Sequence, residues 1–324
     1  MKKLYVIGNG FDKAHKLKTD YWYFRLYLKR YAEDFLRELE RLYGFSPMDL
    51  DDYHVSTKKS ALKKHGEKLL YDWLWKSFEE SLGTLADGEI DSICDSAINS
   101  MSDIEFGGIG DTLNEYFDKQ FKFILELQNY LFRWAKQIRL NKAAVLKKSL
   151  QNNDTDLFLT FNYTPVLERV YGIKPSQICH IHGGIPPYCS TPPIIGHGNL
   201  NAIDQRRKWQ KECADLFDEG GESKNRAFVE FYKKTLKDTD REIFLNIGFF
   251  NRLDDVGEVH VIGHSLGAVD MPYFKKIIEQ TDDKTRWFVY YHDENDRETF
   301  ARIMQDIGTK NFQVLFGDEE FWDS

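Results

Sequence analysis

Cysteine is scarce. The 324 residues hold four (Cys94, Cys179, Cys189 and Cys213), and no two of them stand as Cys-x-x-Cys. A four-cysteine zinc ribbon is therefore excluded, and in a chain of this length the four read as reduced thiols. No run of roughly 18 apolar residues occurs, so with a mean hydropathy of −0.54 a membrane-spanning helix is not expected. A surplus of cations is missing too: Lys+Arg 44 against Asp+Glu 52 leaves a net charge of −8, the wrong sign for wrapping nucleic acid. Met1-Lys2-Lys3 precedes only Leu4 to Ile7 before Gly8 interrupts. That apolar stretch is too short for the core of a secretory signal, so a cytoplasmic protein is expected. No repeat, low-complexity tract or Pro/Gly/Ser-rich linker divides the chain.

What is present alternates between two textures. Short apolar runs end in small or polar residues: Leu4–Ile7, Leu157–Phe161, Ile178–His182, Ile194-Ile195, Val259–Ile262, Arg286–Tyr291 and Phe312–Phe316. These read as buried strands. Between them lie amphipathic stretches: Tyr21 to Tyr43 (closed by Gly44, Ser46 and Pro47), Glu67 to Leu82, Ile109 to Leu150, Val166 to Val170, Ala202 to Asp255, Lys275 to Gln280 and Glu298 to Ile307. Their aromatics and leucines recur at threes and fours, as helices require. The alternation implies an α/β fold, a mostly parallel sheet with helices on both faces. A lone N-terminal strand needs sheet partners from later in the chain. One domain is therefore expected, with its core from about 1–19, 154–200 and 256–318 and large α-helical insertions at about 20–150 and 202–255. Trp22, Trp73, Trp75 and Trp134 in those insertions either close a core or offer an interface to further copies of the chain or to another protein.

In an open parallel sheet ligands bind beyond the carboxyl ends of the strands. Five such places stand out: Gly8-Asn9-Gly10-Phe11-Asp12, Asn162-Tyr163-Thr164, His182-Gly183-Gly184, Gly196-His197-Gly198-Asn199 and Gly263-His264-Ser265. Glycines after a first strand let backbone N–H groups approach a phosphate. Lys13 breaks the G-x-G-x-x-G pattern, so a hydride-transferring dehydrogenase is not indicated. Asn162 either orients a water or a ribose, or simply opens an Asx turn before Pro165. His182 is either a general base or a structural imidazole. His180 and His182 share a face at period two, yet no carboxylate has ligand-like spacing and no metal is expected. Gly263-His264-Ser265-Leu266-Gly267 matches the G-x-S-x-G elbow of α/β-hydrolases. A triad on Ser265 would need an acid from Asp270, Asp282 or Asp283 and a base from His292.

Together these segments resemble a known family. Leu4–His15 with Leu17-Lys18-Thr19, then Phe158–Thr164, His180–Gly183 and Ile262–Gly267, look like the signature of the bacteriophage abortive-infection AbiH family. More distantly they resemble the SIR2-like NAD-binding fold of antiphage NAD-cleaving effectors. That resemblance implies a Rossmann-like (SIR2-like) sheet and hydrolysis of the nicotinamide–ribose bond of NAD or a related nucleotide. It makes Asn162 and His182 the catalytic residues. Gly8, Asn9, Gly10, Phe11, Asp12, Thr160, Gly183, Gly263, His264 and Ser265 become ligand contacts. Thr164 stands where that family carries aspartate, and Asn9 where it carries alanine. The expected partners are a nucleotide ligand, a phage-derived trigger and further copies of the chain, with neither a membrane nor nucleic acid among them. A nucleotide-sensing or partner-binding module without turnover, and a hydrolase using Ser265, are the alternatives.

Overall fold

The computed structural model describes residues 1–45, 66–85, 115, 118, 122–151 and 154–322. Cys94, the helix stop at Ser46 and Pro47, and most of the expected helix from Ile109 to Phe121 lie outside the described residues. The chain divides into two compact units. The first is built from residues 1–20, 131–194 and 238–324, the second from 21–130 and 195–237.

A single sheet organises the first unit. Its strands are β1 (Lys2–Ile7), β2 (Leu157–Thr160), β3 (Ile178–His180), β4 (Val256–Ile262), β5 (Arg286–Tyr291) and β6 (Phe312–Phe316). They lie in the order β3-β2-β1-β4-β5-β6, and every pairing is parallel. This is the strand order of a Rossmann-like fold, which reverses direction at β1 and β4. β1 is central: Leu4 faces Leu157 on one side and Val259 on the other, and Ile7 faces Thr160 and Ile262.

Helices follow as α1 (Asn9–Ala14), α2 (Tyr21–Tyr31), α3 (Glu33–Leu42), α4 (Leu127–Ala135), α5 (Val166–Arg169) and α6 (Leu200–Asp215). After them come α7 (Glu219–Lys234), α8 (Thr239–Leu245), α9 (Ile247–Phe250), α10 (Met271–Gln280) and α11 (Asp296–Asp306). Successive strand residues point to opposite faces, so each apolar strand feeds two cores. Leu4, Val6, Leu159, Val261 and Val289 pack under Phe250 of α9, Phe274 and Ile277 of α10 and Phe300 of α11. Tyr5, Ile7, Phe158 and Ile262 pack under Phe11 of α1, Val166 and Leu167 of α5 and Phe321. Helices thus cover both faces, as a parallel sheet requires. Among the described residues no helix is long and apolar enough to cross a membrane.

The second unit is helical. Its core holds a buried ion pair: Arg25 Nε donates to Glu40 Oε1 at 2.6 Å, and the Trp75 indole N–H reaches the same oxygen at 2.8 Å. Lys237, wholly buried in its side chain, pairs with Glu79, which also accepts from the Tyr21 hydroxyl. α6 and α7 pack along one another as a helical hairpin.

Three stretches depart from the expected elements. Tyr21–Tyr43 is two helices that break at Ala32, and Glu40 of α3 bonds back to Arg25 of α2. The helix expected to reach Leu150 ends at Ala135. Beyond it Leu140, Ala143 and Val145 pack singly against the α1 and α5 side of the sheet. Ile194-Ile195 forms no strand: Pro192 and Pro193 carry no N–H for a ladder, and only His197 bridges, to Leu236. The tryptophans divide as well, with Trp75 and Trp134 in the core and Trp73 71% exposed.

Candidate functional site

The strand ends at the β1/β4 reversal are stitched together by backbone. Gly8 N–H donates to Ile262 O at 2.9 Å and Gly10 N–H to Gly263 O at 2.7 Å. A Cβ on Gly10 would stand 2.6 Å from Gly263 Cα, and one on Gly263 would stand 2.3 Å from Phe11 N. Gly263 also holds φ +63°, where side chains are strained. The glycines therefore serve the close approach of two loops. Phe11 N–H turns back to Gly8 O at 3.0 Å, so the N–H groups of Gly8, Gly10 and Phe11 are spent inside the protein. The phosphate cradle expected from these N–H groups is not formed.

Behind this stitch lies a buried polar cluster. Asn162 follows β2, and its Nδ2 donates to Gly8 O and to Asp12 Oδ1, both at 3.0 Å. A carbonyl only accepts, so these bonds fix the amide's orientation and leave Oδ1 as its remaining acceptor. Thr160 Oγ1 accepts from Asn162 N–H at 3.1 Å and pins the turn. The Thr164 hydroxyl donates to Asp12 Oδ2 at 2.6 Å. Burial pushes the Asp12 carboxyl from 3.8 up to about 7, against the opposing pull of Thr164 and Asn162. His180 adds a third member, with Nδ1 facing Asn162 O at 3.2 Å and Nε2 facing Glu168 Oε1 at 2.8 Å.

A second cluster sits at the ends of β3 and β4. Asp270, just before α10, lies between two imidazoles: His182 Nε2 is 3.1 Å from Oδ1 and His264 Nε2 is 3.4 Å from Oδ2. Leu266 N–H donates to His264 Nδ1 at 2.9 Å, so the His264 proton is on Nε2, toward Asp270. The Phe161 ring packs edge-on against both imidazoles, at 4.8 and 4.3 Å between centroids. All of these polar side chains are buried.

Asn162 and His182 stand beyond Thr160 and His180, which are register partners on adjacent strands. They are neighbours at the sheet's carboxyl edge. Their side chains lean to different partners, Asn162 toward α1 and His182 toward Asp270 and His264. Gly183, at φ +71°, lets the chain after His182 turn beneath Pro192, whose carbonyl would meet a Cβ at 2.1 Å.

Other expected contacts are placed otherwise. Phe11 is core, its ring tilted against those of His15, Tyr171 and Trp322. The Asn9 amide is occupied by Thr19, donating to its carbonyl at 3.2 Å and accepting from its hydroxyl at 2.5 Å. Gly196 to Asn199 belongs to the second unit, where Asn199 caps α6 by accepting from Ala202 N–H. The Ser265 triad is not assembled. Ser265 is exposed, Asp270 is committed to the two histidines, and His292 is 87% exposed beside Asp318. Sequence reasoning placed Asp270 only as a carboxylate for Ser265. Its spacing from His264, across a turn that ends in a helix, was the signal for the role it has. A cavity of about 380 Å³ flanks the outer edge of β3, lined among others by Cys179, His180, Tyr188, Cys189, Glu242 and Asn246. Burial pushes the Cys179 thiol up to about 12, so it is no nucleophile at neutral pH.

Residues 4–291 match the sequence profile described as bacteriophage abortive infection AbiH. No curated protein and no solved structure matches the chain.

Proposed function

The chain belongs to the AbiH family of bacteriophage abortive-infection proteins, and on that premise we propose that it acts in defence by hydrolysing the nicotinamide–ribose bond of NAD or a related nucleotide. The family indicates the defence role. The chemistry is read from the strand ends and from their SIR2-like motifs. One observation carries it: an amide with a fixed orientation and a carboxylate-held imidazole stand side by side at the carboxyl edge of a Rossmann-like sheet.

Nicotinamide leaves as a neutral molecule from a cationic glycoside, so the site needs no strong general acid. Water forms the new bond to the ribose carbon as the carbon–nitrogen bond breaks, and the water's proton passes to a base. With its Nε2 3.1 Å from Asp270 Oδ1, His182 is the base that takes that proton, a contribution worth roughly 10²–10⁴-fold. Asn162 Oδ1 is the acceptor that aims the water or holds a ribose hydroxyl. Asp270 is a positioning residue in this scheme. The N–H groups of Gly8, Gly10 and Phe11 take no part in holding the pyrophosphate, since they are already bonded.

The test is NAD turnover by the purified chain, alone and after phage infection, compared with Asn162→Ala and His182→Ala. Both substitutions are expected to abolish nicotinamide release while leaving the fold intact by circular dichroism. Full activity in both refutes the assignment.

A further inference from the structure

The turn between α6 and α7 puts a bulky residue in a backbone conformation that favours glycine. α6 closes in a Schellman motif: Phe217 N–H donates to Ala214 O at 3.1 Å and Asp218 N–H to Cys213 O at 2.9 Å. Phe217 occupies the left-handed position of that motif, at φ 57°, where glycine is favoured because it lacks a Cβ. Asp218 then caps α7 by accepting from Gly221 N–H at 2.9 Å. The motif's usual apolar contact from the residue after the left-handed one is absent, because that residue is the capping aspartate. Phe217 is 93% exposed and Leu216 78%. A bulky aromatic here both strains the backbone and leaves a ring in water; glycine would serve the turn better.

The turn itself carries charge of one sign, with cations only at its base, where Lys211 precedes Glu212 and Lys208 lies 3.9 Å from it. Residues 212–222 contain Glu212, Asp215, Asp218, Glu219 and Glu222, and no lysine or arginine. We infer that the α6–α7 tip is a docking knob, whose Leu216 and Phe217 enter an apolar pocket on another protein rimmed by lysine and arginine. The aromatic supplies a rigid anchor, and the acidic collar supplies orientation and rate of encounter. A second copy of this chain is the poorer occupant, since two such tips repel and the whole chain carries −8. An anionic lipid surface is disfavoured by the same sign.

The test uses the full chain with Phe217→Gly and, separately, Asp215→Lys combined with Glu219→Lys. Phe217→Gly is expected to melt at or above the parent temperature, because glycine relieves the left-handed strain. In cells challenged with a phage that the parent restricts, both variants are expected to lose protection by about tenfold or more. Phe217→benzoylphenylalanine, irradiated in infected cells, is expected to give a cross-linked species that high salt weakens and the collar reversal removes. Full protection by Phe217→Gly overturns the inference. So does loss of protection accompanied by a lowered melting temperature, which would make Phe217 a folding residue. A cross-link to a second copy of this chain, or one indifferent to collar reversal, overturns it as well.

Discussion

Replacing Asp12 by asparagine tests the electrostatics of the strand-end cluster. The Asp12 carboxyl is buried to 1% exposure and shifts from 3.8 to about 7 in the folded chain. Between those values the folded state binds the proton that the unfolded state has released, so stability falls as pH rises. At about 1.4 kcal/mol per unit over about three units, the ionised carboxyl costs about 4 kcal/mol by neutral pH. Asparagine has the same shape and keeps both contacts: its oxygen accepts from Asn162 Nδ2, and its amide donates to Thr164 Oγ1. His260 complicates the raw profile. Burial first, then the Lys3 charge, lowers it from 6.5 to about 4, so stability is lost as pH falls through that window. The two slopes oppose one another in the parent. The quantity to measure is therefore the difference between parent and Asp12→Asn in urea unfolding, followed by tryptophan fluorescence. It should move by about 4 kcal/mol in favour of asparagine between about pH 4 and pH 8. A difference that does not change with pH refutes the reasoning.

Four further outcomes are expected. His260→Phe, which keeps the stack between Tyr5 and Phe288, should remove an acid-side loss of about 3 kcal/mol, read from melting against pH. Gly263→Ala puts a Cβ 2.3 Å from Phe11 N at a positive φ and should cost about 3 kcal/mol or more, seen as a lowered melting temperature or lost soluble yield. Glu40→Ala strands a buried guanidinium and the Trp75 N–H, and should cost about 3–5 kcal/mol in denaturant titration. Asn162→Asp turns an acidic oxygen toward the Gly8 carbonyl and Asp12, and should lower thermal stability more at about pH 8 than at about pH 5.

The parallel sheet was legible because its strands are short apolar runs that stop at glycine, asparagine or histidine. Arg286–Tyr291 and Phe312–Phe316 appear with the bounds their residues suggest. The break at Ala32 was not legible, since no glycine or proline marks it. The strand ends were legible because position matters more than any motif, and Asn162 and His182 follow β2 and β3 where the apolar runs stop. Their partners were hidden. Thr164 reads locally as a departure from an aspartate, whereas in space it is the hydroxyl donor to Asp12. Asp270 reads as the acid of a serine triad, whereas it bridges two histidines separated by 82 positions (264 − 182). Local pattern names the residue type, but long-range pairing decides what it touches. The glycines of the first turn show the opposite error. They were read as room for a phosphate, and the chain itself fills that room.

Because β1 is flanked by β2 and β4, the first residues to leave the ribosome wait for partners that come much later: Lys2 meets Val256 and Gly10 meets Gly263. Until the last quarter of the polypeptide emerges, the opening turn has Thr19, Asn162 and Thr164 to lean on but not the Gly263 side of its stitch. A truncated or half-made chain thus carries the amide and the first imidazole without the carboxylate that aligns it.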